Sequence, residues 1–343
     1  MDSFYYIGLD VHKKTITYCV KTEDGRLVRR GTLDAVKKVL DQWAGEIKRP
    51  WKGAMEATLF TGWIYDFLKP RAMELKVAHP EMLKAITAAK KKSDKEDAEK
   101  LADLLRCNLL PECYMVSEKM RELRRILRYR NGIVRQAVQT KNKIAGLLMQ
   151  VGTPYNKKKL HGKRYFRDLL ESVEDVPDSV IELLRLSRVN LELFEKVQRR
   201  LVDVLEHHEH IRDRVSRLMT IEGIGEVTAL TWVLEVGDPM RFGRVSQAVS
   251  YCGLCSAQKE SAGKMHRGPI SKKRNKQLQT VLVEAAKLAP RWNPELAAVH
   301  AREIRKGNRN RATLAVARKL VAYMLAVDKR ETPFQTMATP EAA

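Results

Sequence analysis

The sequence predicts an α/β N-terminal domain followed by a long helical, coiled-coil-like middle and a mainly helical C-terminal domain. Three observations carry this: short alternating apolar runs near the start, apolar positions at helical spacing through the centre, and glycine-punctuated helical runs beyond them. At 343 residues with 44% hydrophobic content, the chain can bury the cores of two or more domains.

The elements follow in order. Strands are expected over Phe4 to Val11, Thr15 to Val20 and Arg26 to Leu33, with Asp24-Gly25 as a hairpin turn. A helix near Asp34 to Ile47, a strand ending at Glu56, a helix from about Thr61 to Leu68, a strand Leu75 to His79 and a helix beginning near Asp94 come next. The order βββαβαβα is the ribonuclease H-like (RuvC-like) one, with the first and fourth strands adjacent and the last helix across them. Met120, Leu123, Leu127, Val134, Ala137, Ile144 and Leu148 then mark one face of a helix of about thirty residues. A second helix is expected after Pro177, capped by Asp178, with Leu184, Leu191, Phe194, Leu201 and Leu205 near heptad spacing. Tyr155 to Arg167, between them, is expected to be a mobile basic loop. These boundaries divide the chain into 1–115, 116–216 and 217–343.

Asp10 falls near the end of the first strand and Glu56 at the end of the fourth, while Asp94 and Asp97 share a helical face at i and i+3. All four can converge. Two carboxylates 4 Å apart repel by roughly 4 kcal/mol at an effective dielectric of about 20, so such a cluster either takes up protons or recruits a cation. Hard oxygen donors suit Mg²⁺ and point to phosphodiester chemistry. Taken singly, Asp94 and Asp97 also fit an exposed first helical turn with Ser93 as N-cap.

Charge points to the partner. Lys and Arg number 64 against 42 Asp and Glu, a net +22 that favours a polyanion through counterion release. The excess is concentrated: Lys119 to Arg167 holds 15 basic residues and one acidic, and Lys259 to Arg330 holds 18 and 5. Lys157, Lys158 and Lys159 are candidate phosphate contacts in the first block. Gly223 and Gly225, in a Gly-x-Gly turn between helices, could set backbone N–H groups against a phosphate or simply supply the turn. The start of the chain lacks a signal-peptide pattern, and charge interrupts every apolar run before about 18 residues, so a cytoplasmic protein without membrane contact is expected. Five scattered cysteines argue for reduced thiols, with Cys252 and Cys255 read as a buried pair rather than half a zinc site. His207, His208 and His210 read as an exposed helix end.

Several segments resemble the IS110 family of insertion-sequence transposases, the bridge recombinases with a RuvC-like DEDD domain. They are Ile7 to Lys14, Met55 to Thr58 and Lys92 to Ala98, then Glu222 to Gly225, Phe242, Tyr251 to Leu254, Glu260-Ser261 and Ile270 to Lys273. The ordered set spans about 270 residues. The resemblance implies a DNA recombinase in which Asp10, Glu56, Asp94 and Asp97 hold Mg²⁺ and a serine of the C-terminal transposase domain attacks DNA. That serine maps onto Ser261, with Ser256 and Ser271 as lesser candidates, because Ala262 stands where the family usually has Gly. Leu59 likewise replaces a common Gly. Lys264, Arg267, Lys272, Lys273 and Arg274 would hold flanking phosphates, and His266 is nearby in sequence. The family further implies donor and target DNA, a structured noncoding guide RNA, and a homo-oligomer, dimeric or tetrameric. A RuvC-like nuclease without serine attack, and a nucleic-acid-binding protein without catalysis, are the alternatives.

Overall fold

Alternation decides the first unit. In β1 (Tyr5–Val11) Ile7, Leu9 and Val11 face one side of the sheet, and Tyr6, Gly8 and Asp10 face the other. The computed structural model describes residues 4–86, 93–261 and 263–335, without the side chains of Lys259 and Arg267. It divides into two units, Met1–Glu118 and Lys119–Ala343, and the expected middle and C-terminal segments fall within the second.

In the first unit β2 (Thr15–Lys21), β3 (Leu27–Asp34), β4 (Trp51–Glu56) and β5 (Glu74–Ala78) join β1 in one sheet of order β3-β2-β1-β4-β5. The first three strands are antiparallel, and β1–β4 and β4–β5 are parallel, so the first and fourth strands are neighbours as expected. One face is covered by α1 (Lys37–Gly45) and α2 (Thr61–Leu68), whose Leu40, Trp43, Ile64 and Leu68 pack on Ile7, Leu9, Ile16 and Met55. On the other face α4 (Asp94–Arg106) sets Leu101 and Leu105 against Ala54 and Ala78. A short α3 (Pro80–Ile86), absent from the sequence reading, precedes it. With two turns opening on proline, it carries too little periodicity to stand out from a loop.

The seat of α4 is set by two features. A Cβ on Gly8 would lie 1.9 Å from the carbonyl oxygen of Ala98, so only glycine permits this approach of helix to strand. Lys21, 6% exposed, donates to Asp103 at 2.7 Å and pairs with Glu99 at 2.9 Å, tying β2 to the middle of α4. The Glu96 N–H donates to Ser93 Oγ at 3.3 Å, which makes Ser93 the N-cap that the sequence suggests.

The second unit opens on α5 (Glu118–Gln150), which packs with α6 (Lys163–Ser172) and α7 (Asp178–Glu206) around Ile144, Leu148, Leu160, Phe166, Leu184 and Leu191. Three local expectations change. Ile133 rather than Val134 is buried, because a helix of 3.6 residues per turn drifts off a strict heptad. Pro177 is the N-cap of α7 and Asp178 its first helical residue, where a carboxylate favours the helix dipole without a capping bond. The last five residues of the expected basic loop, 163–167, open α6, and Leu160 and Phe166 are buried, so the lysine run precedes a helix rather than forming a free loop.

Beyond α8 (Arg212–Met219), α9 (Glu226–Val236) is buried over its last eight residues, Ala229–Val236. It sits among α8, α11 (Lys276–Leu288) and α13 (Arg309–Arg330), with α10 (Val245–Tyr251) and α12 (Pro294–Ile304) packed on α13. Two buried carboxylates stitch these helices. Glu235 accepts both arms of Arg128 at 2.9 Å and Asn275 at 2.9 Å. Asp328 accepts Arg214 at 2.5 and 2.6 Å and the Trp232 indole N–H at 2.7 Å. Neighbouring guanidinium groups hold Glu235 below its ordinary range despite burial. An antiparallel hairpin, β6 (Ser256–Ser261) and β7 (Lys264–Ile270), interrupts the helices. No described helix is long and apolar enough to cross a membrane.

Candidate metal centre and basic hairpin

Asp10 and Glu56 project from the α4 face of the sheet. Leu9 pairs with Met55 in parallel register, so Asp10 and Glu56 are the next residues on two neighbouring strands and share that face. Asp94 opens α4, and Asp97 follows one turn later. The structure brings Asp10 and Asp94 together with His12: Nε2 of His12 lies 3.0 Å from Asp10 Oδ2 and 3.5 Å from Asp94 Oδ1. One ligand atom from each of the three falls within 4.8 Å of the others. Asp97 is near enough to act on the charge of Asp10, and it also pairs with Lys100 at 3.5 Å. Glu56 is half-buried at the strand end, outside that close trio, and its backbone oxygen accepts the Thr61 hydroxyl at 2.7 Å. Lys90, Lys91 and Lys92, before Ser93, lie outside the described residues.

Burial pushes the Asp10 carboxyl above its ordinary range, the facing His12 opposes this, and the charges of Asp94 and Asp97 add to it. A cation would relieve both repulsions and offset the cost of burial. The donor set fits a divalent ion: two carboxylates on a rigid strand and a capped helix, an imidazole, and a further carboxylate one turn along. His12 is the ligand candidate that charge counting misses. Its signal was the Asp-x-His spacing at a strand end, which puts both side chains on one face.

In the second unit Ser261 ends β6 opposite Lys264, at the exposed tip of the hairpin. Ala262 and the side chain of Arg267 lie outside the described residues. His266 is opposite Lys259 in the ladder. Ser256 stands at the hairpin base opposite Ile270. The Ser271 hydroxyl accepts the Lys273 N–H at 3.2 Å, which occupies it in a turn. Lys272, Lys273 and Arg274 are exposed at that base, where Arg274 also donates to the Ser271 carbonyl at 3.1 Å. Lys157, Lys158 and Lys159 are exposed, and Asn156 accepts the N–H groups of the last two.

Packing accounts for the Gly-x-Gly turn. Gly223 has φ +89, and a Cβ there would meet Ala289 at 2.4 Å, whereas Gly225 is the open N-cap of α9. The next residue, Glu226, is pushed up to about 7 by burial and by Glu206 beside it. Its unfolded value is near 4.5, so its protonated form stabilises the fold at low pH and that contribution fades as pH rises from about 4.5 to 7. Glu226→Gln is therefore expected to raise the melting temperature at pH 8 by about 2 °C and to leave it unchanged near pH 4.5. Equal effects at both pH values in a melting series would rule this out. Cys252 is buried, its thiol pushed up to about 12, and no zinc-like cluster includes it among the described residues. The five cysteines are free thiols. His207 caps the end of α7, exposed, with its ring 2.9 Å from the Asp203 carbonyl.

Residues 7–153 match the DEDD transposase family of IS110-type elements, and residues 215–301 match the family described as Transposase IS116/IS110/IS902. The chain belongs to the IS110 family of transposases. The DEDD transposase domain implies a ribonuclease H-like fold, in agreement with the mixed sheet of the first unit. Similar to this IS110-family chain are y4qE of Sinorhizobium fredii, named as a transposase, 26% identical over 82% of this chain and 70% of its own length. The transposase for insertion sequence element IS1111A of Coxiella burnetii is 23% identical over 98% of this chain and 92% of its own. The transposase for element IS1328 of Yersinia enterocolitica is 23% identical over 84% of each.

Proposed function

We propose that this IS110-family protein is a Mg²⁺-dependent DNA recombinase of an insertion sequence that cuts and rejoins donor and target DNA through a serine–DNA intermediate. The observation that carries the reading is the convergence of Asp10, Asp94 and His12 at the strand ends of the DEDD domain, with Asp97 and Glu56 on the same face. Asp10, Glu56, Asp94 and Asp97 would hold the ion, which supplies Lewis-acid polarisation of a scissile phosphate. Ser261 Oγ attacks phosphorus, its bond to phosphorus forms as the bond to the deoxyribose 3′ oxygen breaks, and the proton leaves on the 3′-hydroxyl. The phosphoserine ester conserves the bond energy for the reverse attack of a new 3′-hydroxyl.

Exposure at a hairpin tip suits Ser261 to that role, because attack needs access to the DNA backbone. Lys264 near the tip, with Lys272, Lys273 and Arg274 at the base, would hold flanking phosphates. Arg267 and the lysines Lys157, Lys158 and Lys159 would add further phosphate contacts. Gly223 already has a packing role in its turn, whereas Gly225, open at the N-terminus of α9, would be the one of the two able to face a phosphate. A guide RNA, as the family resemblance implies, would leave specificity to base pairing and backbone recognition to these cations.

A homo-oligomer is part of the proposal. α7 carries a second apolar stripe besides the one packed on α5: Leu183, Leu186, Leu193 and Val204 are exposed at heptad spacing, with Asn190 between them. Such a seam is suited to a second copy of the same helix.

A denaturing gel of end-labelled element-junction DNA with protein and co-purifying RNA tests the reading. A Mg²⁺-dependent protein–DNA adduct is expected, absent in Ser261→Ala and in Asp10→Ala. Cleavage that persists in Ser261→Ala without an adduct would mean a metal nuclease, the second reading, which the self-contained carboxylate cluster of the first unit favours.

A further inference from the structure

The second unit contains a cleft of about 1100 Å³ bounded by α10, the base of the β6–β7 hairpin, α12 and α13. Val249, Val299, Ala315 and Ala322 supply its apolar floor, and Arg302, Arg305 and Arg318 line it beside them. The other cation, Lys319, is neutralised by Glu295 at 2.6 Å. Arg318 is oriented by its Nε–H bond to the Leu254 carbonyl at 2.8 Å, which fixes the guanidinium against the cleft wall. Arg302 comes only within 4.0 Å of Glu303, whose carboxylate is already shared by Lys306 and Arg311 at 2.9 Å each. Arg305 has no ion-pair partner among the described residues. Ser256 and Gln258, at the hairpin base, add hydrogen-bonding groups at the mouth.

Each part excludes simpler ligands. Small anions need no apolar floor, and the volume exceeds what a single phosphate fills. A duplex presents phosphates to a protein but keeps its base faces stacked within, so it would leave that floor in contact with water. An apolar small molecule would gain nothing from three guanidinium groups. A single strand offers both parts at once: apolar base faces for the floor, phosphates for the arginines, and base edges for Ser256 and Gln258.

We infer that this cleft is a binding site for a short stretch of unpaired nucleic acid, its bases laid on the aliphatic floor and its phosphates on Arg302, Arg305 and Arg318. The inference rests on the reading of the protein as an enzyme of nucleic acid, and it adds a site away from the hairpin tip. Because Ser256 and Gln258 belong to β6, a strand held here would be anchored at the root of the same hairpin that carries Ser261 at its end.

The test uses the full-length chain carrying Asp10→Ala, with chelator present, so that no reaction is needed for a readout. A short labelled oligo-dT strand and a duplex of equal length are titrated with this protein and with its Arg302→Glu/Arg305→Glu derivative, followed by fluorescence anisotropy at one moderate salt concentration. The derivative is expected to bind the single strand about 10-fold or more weakly and the duplex less than about 3-fold more weakly. A strand containing 4-thiothymidine is expected to photocrosslink to peptides of α12, α13 or residues 255–258. Equal losses for the two ligands, no loss for either, or crosslinks confined to other peptides would overturn the inference. Both arginines are exposed, and Arg302→Gln/Arg305→Gln, expected to show a smaller loss of the same kind, covers the case in which charge reversal disturbs folding. Failure of the serine adduct would leave these binding results intact, so the two readings fall separately.

Discussion

Glu235→Ala is expected to cost about 3 kcal/mol of stability, the low end for a broken buried pair because solvent reaches the half-exposed Arg128. Glu235 is 1% exposed, and its removal leaves Arg124, mostly buried, without the anion that justifies its burial, and deprives the half-exposed Arg128 and the half-buried Asn275 of their shared acceptor. The two sides of this interaction respond differently to burial. Desolvation dominates for Arg124 and lowers it, while the bidentate bond to Glu235 dominates for Arg128 and raises it. Glu235 itself stays on the ionised side. Urea unfolding of Glu235→Ala, of Arg128→Ala and of the double variant checks this, with the double variant losing clearly less than the sum of the two. Strictly additive losses, or a loss under about 1 kcal/mol for Glu235→Ala, would show that the charges are solvated rather than paired.

Gly8→Ala is expected to abolish divalent-ion binding while costing about 1–3 kcal/mol of stability through overpacking. Added methyl and the Ala98 carbonyl cannot share the 1.9 Å between them, and the obstacle is backbone rather than a side chain that could rotate away. The helix must therefore lift from β1, carrying Asp94 and Asp97 from Asp10. Titration with Mn²⁺, read by electron paramagnetic resonance, separates this from simple loss of folding if far-ultraviolet dichroism stays unchanged. Ion binding equal to that of the unsubstituted protein would mean that α4 is seated by Lys21 and its two carboxylate partners instead.

Much of the first unit was legible because its strands are short, alternate cleanly and are punctuated by turn residues. The elements found at Tyr5–Val11, Thr15–Lys21, Leu27–Asp34, Trp51–Glu56 and Asp94–Arg106 follow the predicted order. Their order also places Asp10 beside Glu56, a consequence of parallel register that no single residue reveals. What the sequence could not supply was distance: that His12 joins Asp10 and Asp94 while Glu56 stands outside the close trio depends on rotamers and on the depth of α4. The hairpin was hidden for a different reason. Its strands, Ser-Ala-Gln-Lys-Glu-Ser and Lys-Met-His-Arg-Gly-Pro-Ile, are polar and exposed, so they lack the alternation that a buried face imposes. The Glu235 and Asp328 networks were equally invisible, since their partners lie about a hundred residues away along the chain.

The hairpin leaves and re-enters the helical body at almost one point, where the Ser271 N–H donates to the Cys255 carbonyl at 3.0 Å. Its cross-strand ladder closes on itself, and at its tip Gly263 has nothing within 4 Å of where a Cβ would stand. Such an insertion is a transplantable cassette. The span between Cys255 and Ser271 can be lengthened, shortened or exchanged for that of a related protein with the ends of α10 and α11 left where they are. Among relatives of this chain, the reach of the hairpin tip can thus diverge without the helical body having to diverge with it.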